Sequence, residues 1–267
     1  MFSATFERSV TITGNGLFSG QPCRAEVRPA PPGSGLSFIS DGNRIPVHPG
    51  NYVESPNCSV LAANGARVVQ TEHLLCALWA AGIDTAEIEV SAVEMPNQDG
   101  SALPLYEALL DGGHEELGER PGLGLTKGIK VEVERQASLE ILPADGLYIA
   151  YSFMHRELGR QDLVTEISRL WAVEHLLPAR TFITEHEALV ARGKGFLMHE
   201  DESAALVIRE DGPNAELRFA DEYARHKVLD LIGDLYAVPA ELEGNIVAAR
   251  SGHQLNRALA RALVGIE

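Results

Sequence analysis

The sequence predicts an α+β protein built from two halves of similar design. Both halves mix short, antiparallel-looking strand patterns with a pair of helix-like segments. Between them, residues 112–128 are rich in Gly, carry one Pro and show little apolar periodicity, which is typical of a linker. We therefore expect an N-terminal α+β domain at residues 1–120 and a C-terminal α+β domain at residues 126–267.

The first half carries six strand-like runs, punctuated by Gly, Pro and Asn, at residues 9–13, 23–30, 35–40, 44–48, 66–70 and 86–93. Its first helical segment is "TEHLLCALWAAG", where we expect Thr71 to cap the start and Gly82 to end the helix. The second is "LPLYEALLDGG", which also ends at glycine. Both helical segments are interposed among the strands of this half.

The second half restarts the strand pattern after the linker. Its predicted elements are strands at 129–135, 137–144 and 146–153, a helix at 163–177, a helix or turn at 183–193, a strand at 204–208, a helix at 225–236, a strand at 244–251 and a helix at 253–264. Identity between the halves is too weak to indicate a sequence repeat.

Composition excludes several classes of function. The chain has 267 residues, and 38 acidic against 22 basic residues give a formal net charge of -16, which argues against nucleic acid or an anionic membrane as the main partner. The N-terminus lacks the pattern of a secretory signal, and no apolar run is long enough for a transmembrane segment. Cys23, Cys58 and Cys76 show no C-x-x-C spacing, so we expect a cytoplasmic protein with reduced thiols.

Three polar clusters lie where apolar residues or a helix start are expected. In "RHKVLDLIGDLY", His226, Asp230 and Asp234 are four residues apart and share one helix face. In "TEH", Glu72 and His73 open an apolar helix, and "SGHQLN" places a histidine between a strand and the last helix. An i, i+4 His–Asp pair alone is more often a surface contact than a metal site, so spacing leaves both interpretations open.

The combination suits metal-assisted amide hydrolysis. A hydrolytic zinc site commonly takes three His or carboxylate ligands and leaves a position for water. His226 and Asp230 can reach one ion, with His73 contributed by the other half of the chain. Glu72 points about 100° away from His73 on a helix, so it can face that water as a general base. His253 can supply the acid for the leaving nitrogen.

Several segments then identify a resemblance to a known family. They are "GNGLFSGQPCRAEVRPAP", "TEHLLCALWAAGID", "EMPNQDGSALPLYEAL", "PARTF", "RFADEYARHKVLDLIGDLY" and "SGHQLNRAL". In this order and spacing they closely resemble the zinc-dependent UDP-3-O-acyl-N-acetylglucosamine deacetylases, the LpxC family, which act in lipid A synthesis. The resemblance implies two α+β domains whose helices are sandwiched between two sheets, with the active site at the domain junction.

The resemblance also assigns roles to the matching residues. It implies that His73, His226 and Asp230 bind Zn²⁺, that Glu72 is the general base, and that His253 protonates the departing amine. The same types of ligand also accept Fe²⁺ or other divalent ions, so the native metal stays open.

Three further roles follow from the same resemblance. Asp234 is expected to hold His253 charged and oriented, and Thr181 to help stabilise the oxyanion. Lys227 is expected to meet the phosphates of a nucleotide-sugar substrate, for which a lysine supplies a point charge.

The sequence departs from the family at two places. Phe18 stands in "GLFSG" where the family has a histidine, and residues 182–208 lack the family's Gly-Gly-Ser turn and carry acidic residues at 200–202. Three functions are therefore weighed: the lipid A deacetylase, a paralogue that deacetylates a different N-acetylated amino sugar, and a non-catalytic binding protein of the same fold. A serine hydrolase is set aside because no G-x-S-x-G motif is present.

Overall fold

Two five-stranded sheets of the same topology form the frame of the protein. A computed structural model describes residues 2–133, 136–193 and 204–266. The first half contains β1 (Phe2–Thr5), β2 (Val10–Asn15), β3 (Pro22–Pro29), β4 (Leu36–Ser40), β5 (Asn43–Pro46), β6 (Tyr52–Val53), β7 (Val60–Ala63), β8 (Ala66–Val69), α1 (Glu72–Ala81), β9 (Ala86–Val90) and α2 (Leu103–Leu110). Its main sheet has the order β2-β3-β9-β4-β5.

The second half repeats this arrangement after the strand β10 (Glu115–Glu119). It contains β11 (Ile129–Val133), β12 (Ala137–Leu142), β13 (Leu147–His155), β14 (Gly159–Glu166), α3 (Arg169–His175), β15 (Phe182–Thr184), α4 (Glu185–Gly193), β16 (Leu206–Arg209), β17 (Gly212–Pro213), α5 (Glu222–Leu235), β18 (Gly244–Ala249) and α6 (His253–Leu263). The sheet order is β11-β12-β18-β13-β14, and one parallel pair lies inside each sheet, β4 with β9 and β13 with β18. The expected α+β class with two similar halves is thus confirmed.

The strands form because apolar residues alternate with polar ones. In β3, Cys23, Ala25 and Val27 are buried, while Arg24 and Glu26 point away from the core. This period of two places one face of the sheet against the helices and the other toward solvent.

Helices α1, α2, α5 and α6 lie between the two sheets. Nine of the ten residues of α1 and twelve of the fourteen residues of α5 are buried, as expected for helices covered on most sides. Helix α1 packs against α5 and α2, α2 against β2, α5 against β13 and β14, and α6 against β11 and β12. The α1–α5 contact therefore joins the two halves and brings their polar residues together.

A glycine permits the close crossing of α1 and α5. A Cβ atom added at Gly233 would lie 2.0 Å from the main-chain oxygen of Glu72. No other residue type fits without moving one helix, so Gly233 fixes the distance between the chains that carry the polar clusters.

The two halves differ in what is inserted before their central helix. The first half inserts the three-stranded antiparallel sheet β6-β7-β8, and the second inserts α3, α4 and the small sheet β15-β16-β17. Both insertions lie at the same point of the shared topology.

Several local predictions need correction. The helix expected at 163–177 is wrong in its first part, because Leu163 belongs to β14, where it is buried opposite Tyr151. The helix starts at Arg169, after Ser168 accepts a hydrogen bond from the Trp171 amide through its side chain. The end of β14 is followed directly by the start of α3, so the sequence shows one continuous apolar pattern across both elements.

Two other expectations are refined. Thr71 does not cap α1 through its side chain, whereas Gly82 ends the helix in the left-handed conformation with a φ of 75°.

The segment 112–128, which was expected to be a linker, contains β10, which pairs with β1. Strands β1, β6, β7, β10, β14, β15 and β17 were not predicted. Most of them are short, and β1 and β10 pair only with each other across more than 100 residues. Among the described residues, no helix has both the length and the apolar character needed to cross a membrane.

Candidate active site

The crossing of α1 and α5 gathers six buried polar side chains from three helices. Glu72 and His73 start α1, His226, Asp230 and Asp234 lie along α5, and His253 starts α6. Each is at most 5 % exposed. We call these six residues the active-site cluster.

Three members of the cluster have the arrangement of a metal site. The Nε2 atoms of His73 and His226 lie 3.5 and 3.4 Å from Oδ1 of Asp230. One ligand atom from each of these residues lies within 4.8 Å of the others. Asp230 Oδ1 is buried and has no hydrogen-bond partner in the described part of the chain. A buried carboxylate oxygen without a donor, facing two imidazole nitrogens, fits a cation.

The environment of His226 prepares it as a ligand. Its Nδ1 lies 3.1 Å from the main-chain oxygen of Ala179, which fixes the proton on Nδ1 and leaves the Nε2 lone pair facing Asp230. Burial lowers the pKa of His226 to about 3. The ring is therefore neutral at physiological pH, which is the form that binds metal ions.

Asp230 is held as a carboxylate by neighbouring cations and imidazoles. Burial alone would raise its pKa, but the positive charges of Lys227 and His253 hold the pKa of Asp230 well below its usual range. Lys227 donates a hydrogen bond of 2.9 Å to Oδ2, which leaves Oδ1 for another partner. A second group of possible ligands, Glu72, Asp230 and His253, adjoins the first.

Glu72 is a carboxyl group suited to accept a proton. Burial raises the pKa of Glu72 above its usual value. The amide of Ser59 donates a hydrogen bond of 3.0 Å to Oε2, while Oε1 lies 3.9 Å from Nε2 of His253. One oxygen is thus fixed and the other faces the interior of the cluster.

His253 is held as an imidazolium. Its Nδ1 lies 2.9 Å from Oδ2 of Asp234, which also accepts a hydrogen bond of 2.9 Å from the side chain of Asn256. Burial alone would lower the pKa of His253, but Asp234 and Asp230 raise it to about 9. The Nε2 proton faces Glu72 and Asp230, so His253 can act as a proton donor.

Of the other two predicted site residues, Lys227 contacts the cluster through Asp230, whereas no hydrogen bond joins Thr181 to the cluster among the described residues. The amide of Thr181 donates to the oxygen of Gly100, and no hydrogen bond of its hydroxyl is found among the described residues. Lys227 pairs with Asp230, and its side chain is 25 % exposed. Phe18 lies in a turn, and its main-chain amide donates a hydrogen bond to the carboxylate of Glu94.

Sequence reasoning missed three contributors to the site. Ser59 contacts both Glu72 and Asp234, Asn256 contacts Asp234, and the oxygen of Ala179 orients His226. Asn256 could have been found, since it follows His253 by three residues on a helix and shares its face. Ser59 gives no local signal because its partners are distant in sequence.

Comparisons with known proteins find a family and relatives that match nearly the whole chain. The model of the LpxC family, described as UDP-3-O-acyl N-acetylglycosamine deacetylase, matches residues 3–265. A UDP-3-O-acyl-N-acetylglucosamine deacetylase of Leptospira biflexa is 35% identical over 97% of this chain and 89% of its own length. Proteins of the same name from Neisseria meningitidis serogroup C and Geotalea uraniireducens are 34% and 32% identical, over 100% and 96% of this chain and 91% and 86% of their own lengths.

The fold, the cluster and these relatives together define an enzyme of the deacetylase class, which hydrolyses amides. The chain belongs to the LpxC family.

Proposed function

We propose that this protein is a zinc-dependent deacetylase that removes the acetyl group from UDP-3-O-acyl-N-acetylglucosamine in lipid A synthesis. The observation that carries the proposal is the buried Oδ1 of Asp230, which has no hydrogen-bond partner among the described residues and lies between two imidazole nitrogens, beside a carboxyl and an imidazolium. The names of the relatives and the motifs of the sequence support this substrate.

His73, His226 and Asp230 would hold the zinc ion. Two imidazoles and one carboxylate are a common hydrolytic set that leaves a coordination position open. When bound, zinc supplies Lewis-acid chemistry, lowering the pKa of a water molecule and polarising the amide carbonyl. The same ligands accept Fe²⁺, so the metal in the cell depends on supply as well as on geometry.

Glu72 would act as the general base. Its Oε2 is held by the Ser59 amide, so Oε1 keeps a fixed direction toward the reacting groups. The carboxylate takes a proton from the attacking water while the water oxygen bonds to the acetyl carbon. The raised pKa of Glu72 brings its basicity closer to neutral pH, which favours this transfer.

His253 would act as the general acid. Its Nδ1 is engaged by Asp234, so the proton available for transfer is on Nε2. That proton passes to the amide nitrogen as the bond between carbon and nitrogen breaks, giving acetate and a free amine. Asp234 stabilises the imidazolium beforehand and keeps the ring oriented.

Thr181 and Lys227 complete the proposal. The Thr181 hydroxyl, which has no hydrogen bond among the described residues, is available to stabilise the oxyanion. Lys227 is partly exposed and would turn from Asp230 toward the phosphates of the substrate. The cluster draws Glu72 and His73 from the proposed N-terminal domain, 1–120, and its other members from the proposed C-terminal domain, 126–267.

Acetate release from two substrates tests the function. Purified protein carrying one equivalent of zinc is given UDP-3-O-acyl-N-acetylglucosamine or UDP-N-acetylglucosamine, which lacks the acyl chain. We expect acetate from the acylated substrate and little from the other, with loss of activity in Glu72→Gln. Acetate release from simple N-acetylglucosamine compounds alone would instead support the paralogue with another substrate. The acidic residues 200–202, which raised this alternative, lie outside the described residues.

A further inference from the structure

Ser59 lies at the point where the helices of the cluster meet. It directly precedes β7 and is completely buried. Its partners belong to α1, α5 and α6, although it is a member of none of them. A single small residue thus contacts all three helices that carry the active-site cluster.

The main chain of Ser59 fixes the start of α1. Its amide donates a hydrogen bond of 3.0 Å to Oε2 of Glu72. Its carbonyl oxygen accepts hydrogen bonds from the amides of Gln70 and Thr71, at 2.9 and 3.3 Å. These bonds set the position of the helix start and the direction of the Glu72 carboxyl together.

The side chain of Ser59 contacts two other members of the active-site cluster, Asp234 and His253. Its hydroxyl donates to Oδ1 of Asp234, and Oγ lies 3.4 Å from Nδ1 of His253. Oδ2 of the same carboxylate accepts from His253 and Asn256, so both oxygens of this fully buried group are used. Without the hydroxyl, Asp234 would have an unpaired oxygen and could rotate away from His253.

A buried arginine holds Ser59 in place. Arg257, which is 1 % exposed, donates to the main-chain oxygens of Cys58 and Ser55 at 3.3 and 2.9 Å. Arg257 lies one turn after His253 on α6. The loop that ends at Ser59 and the helix that starts at His253 are therefore fixed to each other.

We infer that Ser59 is a positioning residue that couples the general base to the acid, holding Glu72 through its amide and Asp234, and thereby His253, through its hydroxyl. This inference rests on the proposed function. The two roles of Ser59 can be separated by experiment, because substitution of the side chain removes the hydroxyl and keeps the amide.

The kinetic test compares Ser59→Ala with Ser59→Thr in the zinc-loaded enzyme. We expect Ser59→Ala to lower kcat by about 10- to 100-fold, since partners of this kind contribute that much to activity. KM should stay within about threefold and zinc content should be unchanged, because neither the metal ligands nor the binding surface is altered. Ser59→Thr restores the hydroxyl and should recover most of kcat.

A matched control is Ser37→Ala. Ser37 is also completely buried, and its hydroxyl has no hydrogen-bond partner among the described residues. We expect wild-type kcat in this variant. Equal losses in Ser59→Ala and Ser37→Ala, or wild-type kcat in Ser59→Ala, would overturn the inference. If Ser59→Ala does not fold, Ser59→Thr and Ser59→Val give the same comparison at equal size, and equal kcat in that pair would overturn it.

A second readout does not depend on the substrate. In ¹⁵N-histidine-labelled protein, the Nδ1 proton of His253, assigned with His253→Gln, should exchange slowly with water in the wild type and in Ser59→Thr. Faster exchange in Ser59→Ala supports the inference, and unchanged exchange contradicts it. Failure of the proposed function would instead appear as wild-type protein that releases no acetate while these exchange differences persist.

Discussion

Two polar networks, one buried and one largely buried, lie where the halves of the protein meet, and they differ in charge balance. One is the active-site cluster. The other, which we call the ion-pair network, consists of Asp84, Arg120, Arg169, Tyr236 and Glu241. There, Arg120 lies 3.3 Å from Asp84 and 3.2 Å from Glu241, and Arg169 lies 3.1 Å from Glu241. The hydroxyl of Tyr236 accepts from Arg120 and donates to the oxygen of Ile83.

The ion-pair network satisfies its carboxylates, and the active-site cluster does not. Two arginines face two carboxylates, and every carboxylate oxygen of Asp84 and Glu241 contacts a donor. In the cluster, Oδ1 of Asp230 has no donor among the described residues. A balanced network of this kind holds elements together, whereas an unpartnered buried carboxylate oxygen calls for a cation or a reacting group.

The largest effect on chemistry should come from loss of the proposed general base, Glu72. Glu72→Gln keeps the shape of the side chain and its contact with Ser59 but removes the proton acceptor. We expect kcat to fall by about 10²- to 10⁴-fold. Zinc content and the thermal unfolding midpoint, measured on the same preparations, should stay near wild type. A variant that keeps more than half of the wild-type kcat would exclude Glu72 as the base.

The ion-pair network should respond in the opposite way. Arg120→Met leaves Asp84 and Glu241 without their shared partner, so the free energy of unfolding should fall by about 3–5 kcal/mol, as for other broken buried pairs. The kcat of the folded fraction should change little. Arg24→Met is the control, since the Arg24 side chain is exposed and pairs with a partly exposed Glu26, and it should leave the free energy of unfolding near wild type. Denaturant unfolding measures the free energy of unfolding of both variants. Equal losses in Arg120→Met and Arg24→Met would argue against a special role for the ion-pair network.

Gly233→Ala should connect stability and chemistry. The added Cβ overlaps the main-chain oxygen of Glu72, so α1 and α5 must separate, at a cost of about 1–3 kcal/mol in the free energy of unfolding. Because Glu72 and His73 would move relative to α5, kcat should fall as well. Gly193→Ala, at a helix position where no described residue has an atom within 4 Å of the new Cβ, should leave both quantities near wild type. A normal kcat in Gly233→Ala would show that the crossing distance does not control the site.

The smallest effects should appear in the pH profile. His253 must be protonated to act as the acid, so kcat/KM should fall as pH rises through its pKa of about 9. Glu72 must be deprotonated, so activity should also fall at low pH, with a midpoint above the ordinary glutamate value. Asp234→Asn removes a charge that raises the pKa of His253 and should shift the basic limb to lower pH. An unshifted basic limb in that variant would exclude His253 as the titrating acid.

The two networks also show how much of the structure can be predicted from the sequence. The spacing of His226, Asp230 and Asp234 predicts a polar helix face, and resemblance adds the roles proposed for them. Their assembly with Glu72 depends on a helix crossing that a single glycine, Gly233, permits. No local pattern announces that role.

The ion-pair network and Ser59 could not be predicted for the same physical reason. Arg120 lies in the segment expected to be a linker, and its partners Asp84 and Glu241 are separated from it by long stretches of chain. Ser59 contacts Asp234 across 175 positions. Such contacts arise from the packing of whole elements. The order of the strands and helices was more accessible, because alternation and caps are local, although β14 was partly mistaken for helix.

Metal depletion and reconstitution test the central proposal most directly. The protein is stripped with a chelator, zinc is added back in measured equivalents, and acetate release from UDP-3-O-acyl-N-acetylglucosamine is followed together with bound zinc. We predict no turnover in the stripped protein, full recovery at one equivalent, and neither binding nor recovery in Asp230→Ala. Full turnover by protein free of metal, or normal zinc binding by Asp230→Ala, would contradict the proposal.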